Sequence, residues 1–209
     1  MTVYVESNFL LEVAFEQEQS IDCIAILEIA EAGNALLAIP TFCVGECLER
    51  IGRRKQRRRA IQESINLEVN ELSRSPSAAT LCDQLEKLAT ALTENTGIDE
   101  ERFERLLLRL PSFAHFIPFD ERIIRNSLEV QTNYPLKSQD AIVFSSVLTH
   151  LRETKPSRAV FVNRNRRDFD TREIATDLQQ LNCSYKPSFA AGLAYIRAEL
   201  GRVAEIDHP

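Results

Sequence analysis

Short β-branched or apolar segments alternate with helical patterns along this chain, and that alternation leaves few folds open. Residues 2–5 (Thr-Val-Tyr-Val), Ala35 to Ile39, His115 to Pro118, Ala159 to Val162 and Cys183 to Tyr185 read as strands. Helical stretches separate them. Ser7-Asn8 can cap a helix from Phe9 to about Phe15. Ser20 opens a second, with Ile21, Ile24, Leu27, Ile29 and Ala30 as its apolar positions and Gly33-Asn34 as its end. Thr41 opens a third, which carries Val44, Leu48 and Ile51 and can run on into a basic stretch. Asp120 to Asn133 (with Phe119-Asp120 as an N-cap), Ser138 to about Leu151, Arg172 to Leu181 and Pro187 to Leu200 are the later helices. Arg164 to Asp170 reads as a polar loop, and the tail to Pro209 as frayed.

Strands that alternate with helices predict a parallel sheet covered on both faces. The expected fold is therefore three-layer α/β/α, with about five parallel strands. From about 53 to 110 the chain is helical throughout, with Leu67, Leu72, Leu81, Leu85, Leu88 and Leu92 at three- to five-residue spacing. Ser75-Pro76-Ser77 and Thr96-Gly97 punctuate it, and Ile98 to Leu110 forms one more helix. That block is long for a connection and reads as a helical insertion within a single domain spanning 1–209.

Composition narrows the class. Hydrophobic residues make up 44% of 209 residues, enough for one core. No apolar run approaches the ~18 residues of a membrane helix. Met1-Thr-Val-Tyr-Val-Glu lacks a basic region ahead of an apolar stretch, so a signal peptide is not expected and a cytoplasmic setting is. The five cysteines are odd in number and scattered, which argues against a disulfide framework. Cys43 and Cys47 could share a helix face, yet His115, His150 and His208 follow no ligand spacing, so small buried side chains are the expectation rather than zinc.

In an open parallel sheet, ligands sit beyond the carboxyl ends of the strands. Glu6 follows the first strand. Glu46 lies in the first turns after the second. Asp140 opens the helix led by Ser138, and Asp168 lies in the loop after Ala159–Val162. Any one of them alone is more simply a helix cap or dipole partner. Four at one rim repel each other and call for a hard divalent cation, Mg²⁺ or Mn²⁺. A metal so held activates water against a phosphodiester.

These segments also resemble the PIN-domain nucleases, the VapC-like ribonucleases among them. Val3-Tyr4-Val5-Glu6-Ser7-Asn8-Phe9-Leu10-Leu11 looks like the family's opening strand and helix. Ile39-Pro-Thr-Phe-Cys-Val-Gly-Glu46 looks like its second acidic segment, Leu136-Lys-Ser-Gln-Asp140 its third, and Val160-Phe-Val-Asn163-Arg-Asn165-Arg-Arg-Asp168-Phe169 its fourth. The resemblance covers about 1–52 and 112–200. It implies a Mg²⁺- or Mn²⁺-dependent ribonuclease, in many members a toxin silenced by an antitoxin. It makes Glu6, Asp140 and Asp168 metal ligands, adds Glu46 to the catalytic set, and makes Ser7, Asn163 and Asn165 supporting polar groups. A protein regulator and a second copy of the chain are further partners it allows. The first acid is Glu6 where the family carries Asp, and Asn163 stands where Thr or Ser is common. The Glu keeps a second reading open: a binding module that holds RNA or a protein without cutting.

The net charge of −6 supplies no global attraction to nucleic acid, so any attraction must be local. Arg53-Arg54-Lys55-Gln56-Arg57-Arg58-Arg59 carries six cations in seven positions, and Arg164, Arg166 and Arg167 form a second cluster. One reading makes Arg53, Arg54, Lys55, Arg57, Arg58, Arg164 and Arg166 contacts to an RNA backbone. The other makes the first cluster a solvated helix face paired with acids such as Glu49, Glu63 and Glu68.

Overall fold

A computed structural model describes residues 1–206, with side chains through 202. Of the tail expected to fray after Leu200, 201–206 continue the last helix, and 207–209 lie outside the described residues. The strands are β1 (Thr2–Tyr4), β2 (Leu36–Pro40), β3 (Ala114–Ile117), β4 (Ala159–Val162) and β5 (Cys183–Lys186). They form one five-stranded sheet in the order β3-β2-β1-β4-β5, and every pairing is parallel. The three-layer α/β/α architecture expected from the sequence is thus the one observed.

Strand alternation divides the core in two. Val3, Val5, Leu37, Ile39, Val160 and Val162 face one way. They pack under α1 (Ser7–Ala14), α2 (Ser20–Glu31), the first turns of α3 (Thr41–Leu72), the end of α4 (Ala79–Arg109) and α9 (Phe189–Ile206). Tyr4, Ala38, Ala159, Phe161 and Cys183 face the other way. They pack under α5 (Glu121–Asn133), α6 (Ser138–Thr154), α7 (Arg166–Phe169) and α8 (Arg172–Gln180). All five cysteines are free and buried, as small apolar side chains. Among the described residues no helix is long and apolar enough to cross a membrane.

Where α9 crosses β4 the layers touch closely. A Cβ on Gly192 would lie 2.6 Å from a γ-methyl of Val162. Val162 is fully buried and β-branched, so it cannot swing aside. Gly192→Ala is expected to destabilise the protein by about 1–3 kcal/mol, despite alanine's higher helix propensity. Urea unfolding checks this; an unchanged or raised midpoint would mean that α9 lifts off freely.

The structure revises several local readings. Residue 6, not Ser7 or Asn8, is the N-cap of α1, and its side chain makes no capping bond. In α2 the buried positions are Cys23, Ile26, Leu27 and Ala30, while Ile21 and Ile24 point to solvent. The predicted loop Arg164–Asp170 contains the short helix α7, because Phe169 is drawn fully into the core beside Phe144 and Phe161. Thr96-Gly97 breaks nothing: α4 runs through it. There the Thr96 hydroxyl donates to the Leu92 carbonyl and accepts from Arg58 of α3. Tertiary contact outweighs the ~1 kcal/mol that a mid-helix glycine costs. Asp120 caps α5 as expected, accepting from the Arg122 and Ile123 amides.

α3 and α4 make a helical hairpin. At 32 residues α3 extends about 48 Å. Phe103, Leu106 and Leu110 anchor the returning arm in the domain core.

Candidate active site

β1 and β4 are adjacent at the centre of the sheet. Chain connections leave them in opposite directions, to β2 and to β5, so a crevice opens beyond their carboxyl ends. Glu6 sits there, one peptide past Val5. It is 4% exposed, and Ser7 Oγ donates to its Oε2 at 3.0 Å. Its Oε1 is buried with no hydrogen-bond partner. Burial pushes the Glu6 carboxyl up to about 7, and the charge of Glu46 adds to the shift while the Ser7 bond opposes it.

Glu46 comes from the second turn of α3. Its Oε2 is also buried without a partner. Burial raises its pKa first, and Asp140 and Glu49 raise it further. Asp140, in the first turn of α6, is raised by burial and then by Asp168, while Lys137 and Asn165 pull it down. Asp168 stands in α7. The four acids therefore form a chain of electrostatic neighbours, Glu6 to Glu46 to Asp140 to Asp168, although they come from four distant segments.

The asparagines hold the far end of this chain. Asn165 Nδ2 donates to Asp168 at 2.7 Å and, more weakly, to Asp140 at 3.4 Å. Its backbone N–H donates to Asn163 Oδ1 at 2.6 Å. Asn163 is fully buried, and its Nδ2 has no partner. Two orphaned acceptors and one orphaned donor in one crevice form an unfinished polar site, since buried polar atoms are normally paired.

Among the described residues, no three His, Cys, Asp or Glu side chains are drawn together closely enough to hold a metal ion as they stand. The donor set nevertheless fits a hard divalent cation. It is all oxygen, it repels itself, and two of its buried oxygens have no other partner. His115 and His150 lie elsewhere. His150 lies about 15 Å further along α6 than Asp140. It bonds the Tyr4 hydroxyl at 2.7 Å and packs on the His115 ring.

The basic stretch divides. Arg58 donates to Asp99 and Thr96 at 3.0 Å each and to Asn95 at 2.9 Å. Arg54 also pairs with Asp99 and lies over the Phe15 ring, and Lys55 pairs with Glu100. Arg53 pairs with Glu49, whereas Glu63 and Glu68 take no cation among the described residues. Arg57 and Arg59 are exposed, without an ion pair among the described residues. Arg164 is held by Glu12 at 2.8 Å and Glu18 at 2.6 Å, and Arg166 donates to the Pro187 carbonyl. One cation escaped the sequence reading. Arg50 lines a groove with Ser7, Glu46, Glu49 and Arg53, and a second groove continues it past Arg54 and Arg57. The signal was present: Glu46, Arg50, Arg53 and Arg57 follow helical spacing and share one face.

Comparison with curated proteins and with solved structures finds no match. A family model described as PIN domain matches residues 3–169, which span Glu6, Glu46, Asp140 and Asp168. With the parallel sheet and the acidic crevice at its switch point, the match over most of the chain shows that this protein belongs to the PIN domain family.

Proposed function

We propose that the protein is a metal-dependent endoribonuclease that hydrolyses phosphodiester bonds at the Glu6–Glu46–Asp140–Asp168 crevice. The observation that carries this reading is the pair of buried, partnerless carboxylate oxygens, Glu6 Oε1 and Glu46 Oε2, within a run of mutually repelling acids. Glu6, Asp140 and Asp168 would hold Mg²⁺ or Mn²⁺, with Glu46 beside them. Such an ion, when bound, lowers the pKa of water and offsets charge on a phosphoryl oxygen.

The chain's own groups do the positioning. Ser7 fixes the Glu6 carboxylate through its Oε2. Asn165 holds Asp140 and Asp168 in one arrangement. Asn163 has an amide free to donate to an incoming oxygen. Glu46, whose basicity burial and its acidic neighbours raise, is suited to orient the attacking water and take its proton. The expected products carry 5′-phosphate and 3′-hydroxyl. The deciding experiment is cleavage of single-stranded RNA with Mn²⁺, Mg²⁺ or EDTA. Cutting that EDTA stops supports the reading. RNA binding with no cutting under any condition would favour the binding module instead. A role as a toxin adds a stoichiometric small protein that copurifies and blocks cutting.

Arg50 and Arg57 would guide the RNA backbone, joined by Arg53, whose solvent-exposed pair with Glu49 costs little to give up. Lys55, Arg58 and Arg164 are committed to acids within the chain and would contribute little. Arg57→Ala should weaken binding across all sequences and lower the slope of log K against log salt by roughly 1. Lys55→Ala should leave the slope unchanged. Equal slopes for both variants, measured by anisotropy over a salt series, would refute that division.

A further inference from the structure

Glu46 separates two hollows. On one side is the arginine-lined groove. On the other, Thr41, Phe42, Gly45, Glu46, Glu49, Phe119 and Gln139 line an open hollow of about 340 Å³. Glu46, Glu49 and Gln139 form the ridge shared by both. Phe42 and Phe119 meet in it with ring centroids 5.4 Å apart, tilted by 50°. Phe119 is 44% exposed and belongs to neither core cluster.

Hydrogen bonds tie the backbone beside both rings of this platform. Thr41 Oγ1 donates to the Ile117 carbonyl at 2.8 Å, tying the start of α3 to the end of β3. Asp120, the next residue after Phe119, is fastened as the cap of α5. Gly45 lines the hollow. It lies inside a helix, where glycine is unfavourable, and a Cβ built on it meets nothing within 4 Å.

We propose that Phe42 and Phe119 stack one base of the bound RNA strand beside the phosphate at the carboxylates. This deepens the nuclease reading and rests on it. The two hollows meet the two halves of a nucleotide strand. Cations face the backbone, and aromatic faces meet a base of any identity. In a duplex that base is buried between its neighbours and cannot reach the rings. Gln139 on the ridge, which has no other role in the site, can hydrogen-bond the edge of the stacked base.

The test is a coupling experiment on the full chain. Affinity for a short single-stranded RNA, measured by anisotropy with Ca²⁺ present, is compared with that for copies carrying one abasic position at a time. For wild type, one abasic position should weaken binding about 5- to 150-fold, the range of a lost base–aromatic stack. In Phe119→Ala that same position should cost nothing further. Gly45→Leu, which favours the helix and fills the hollow, should behave likewise. Abasic positions tolerated alike in wild type, or costing as much in Phe119→Ala, would overturn the platform even if Mn²⁺-dependent cutting is intact. Coupling at one position without any cutting would leave the platform standing and remove the nuclease. An RNA that does not bind at all would overturn both.

Discussion

Asp140→Asn should lower the rate of Mn²⁺-dependent RNA cleavage by on the order of 10³-fold or more, with the fold intact. Asn is isosteric, and its carbonyl oxygen can still accept from Asn165, which reaches Asp140 Oδ1 at 3.4 Å. The lost charge near the α6 N-terminus costs up to about 1 kcal/mol. Relief of the repulsion between Asp140 and Asp168 offsets part of that. Stability should therefore change by about 1 kcal/mol or less, while a site that offsets several kcal/mol of charge in the transition state loses an anchoring oxygen. Initial rates and thermal midpoints measured on the same preparation separate the two effects. A rate within tenfold of wild type would remove Asp140 from the chemistry.

Glu6→Gln should stabilise the metal-free protein at alkaline pH and abolish its response to Mn²⁺. The Glu6 carboxyl titrates at about 7 in the fold, against about 4.3 in an unfolded chain. Between those values the folded state keeps a proton that the unfolded chain has released. Stability therefore falls as pH rises through that window and stays low above it. Two to three pH units at about 1.4 kcal/mol each give on the order of 3 kcal/mol. Gln removes that loss but introduces an amide that must find an acceptor, and the free Glu46 oxygen nearby is one. A net gain of about 2 kcal/mol at pH 8 is expected, vanishing near pH 4.5.

The comparison is made as variant minus wild type, because burial lowers the pKa of His150 and gives the wild-type profile an opposite slope at acid pH. For a protein of this size the gain corresponds to roughly 4–8 °C in Tm. Mn²⁺ should raise the Tm of wild type above pH 7 and leave the variant unmoved. A difference that does not depend on pH would mean that Glu6 is already charged in the fold.

Much of this was readable from the sequence. β4 occupies the residues its apolar run marked, and β1, β2 and β3 differ from expectation by about a residue. Two of the misreadings share a cause. Phe169 and Gly97 lie in segments whose local character says loop or break, and contact with Phe144, Phe161 and Arg58's helix decides otherwise. The cations of the basic stretch look alike in sequence. Their partners Asp99 and Glu100 lie some 40 residues away on α4, at a register that only the folded hairpin sets.

By itself, then, the sequence determined the alternation of strand and helix and put an acid just past each of three strands and one at a helix start. Both follow from side-chain periodicity and capping, which act over a few residues. The tertiary structure alone decided the strand order that gathers those acids at one crevice, which of their oxygens lack partners, and which arginines remain free. Those outcomes depend on burial and charge pairing between segments far apart in the chain, where desolvation raises the cost of every unpaired group.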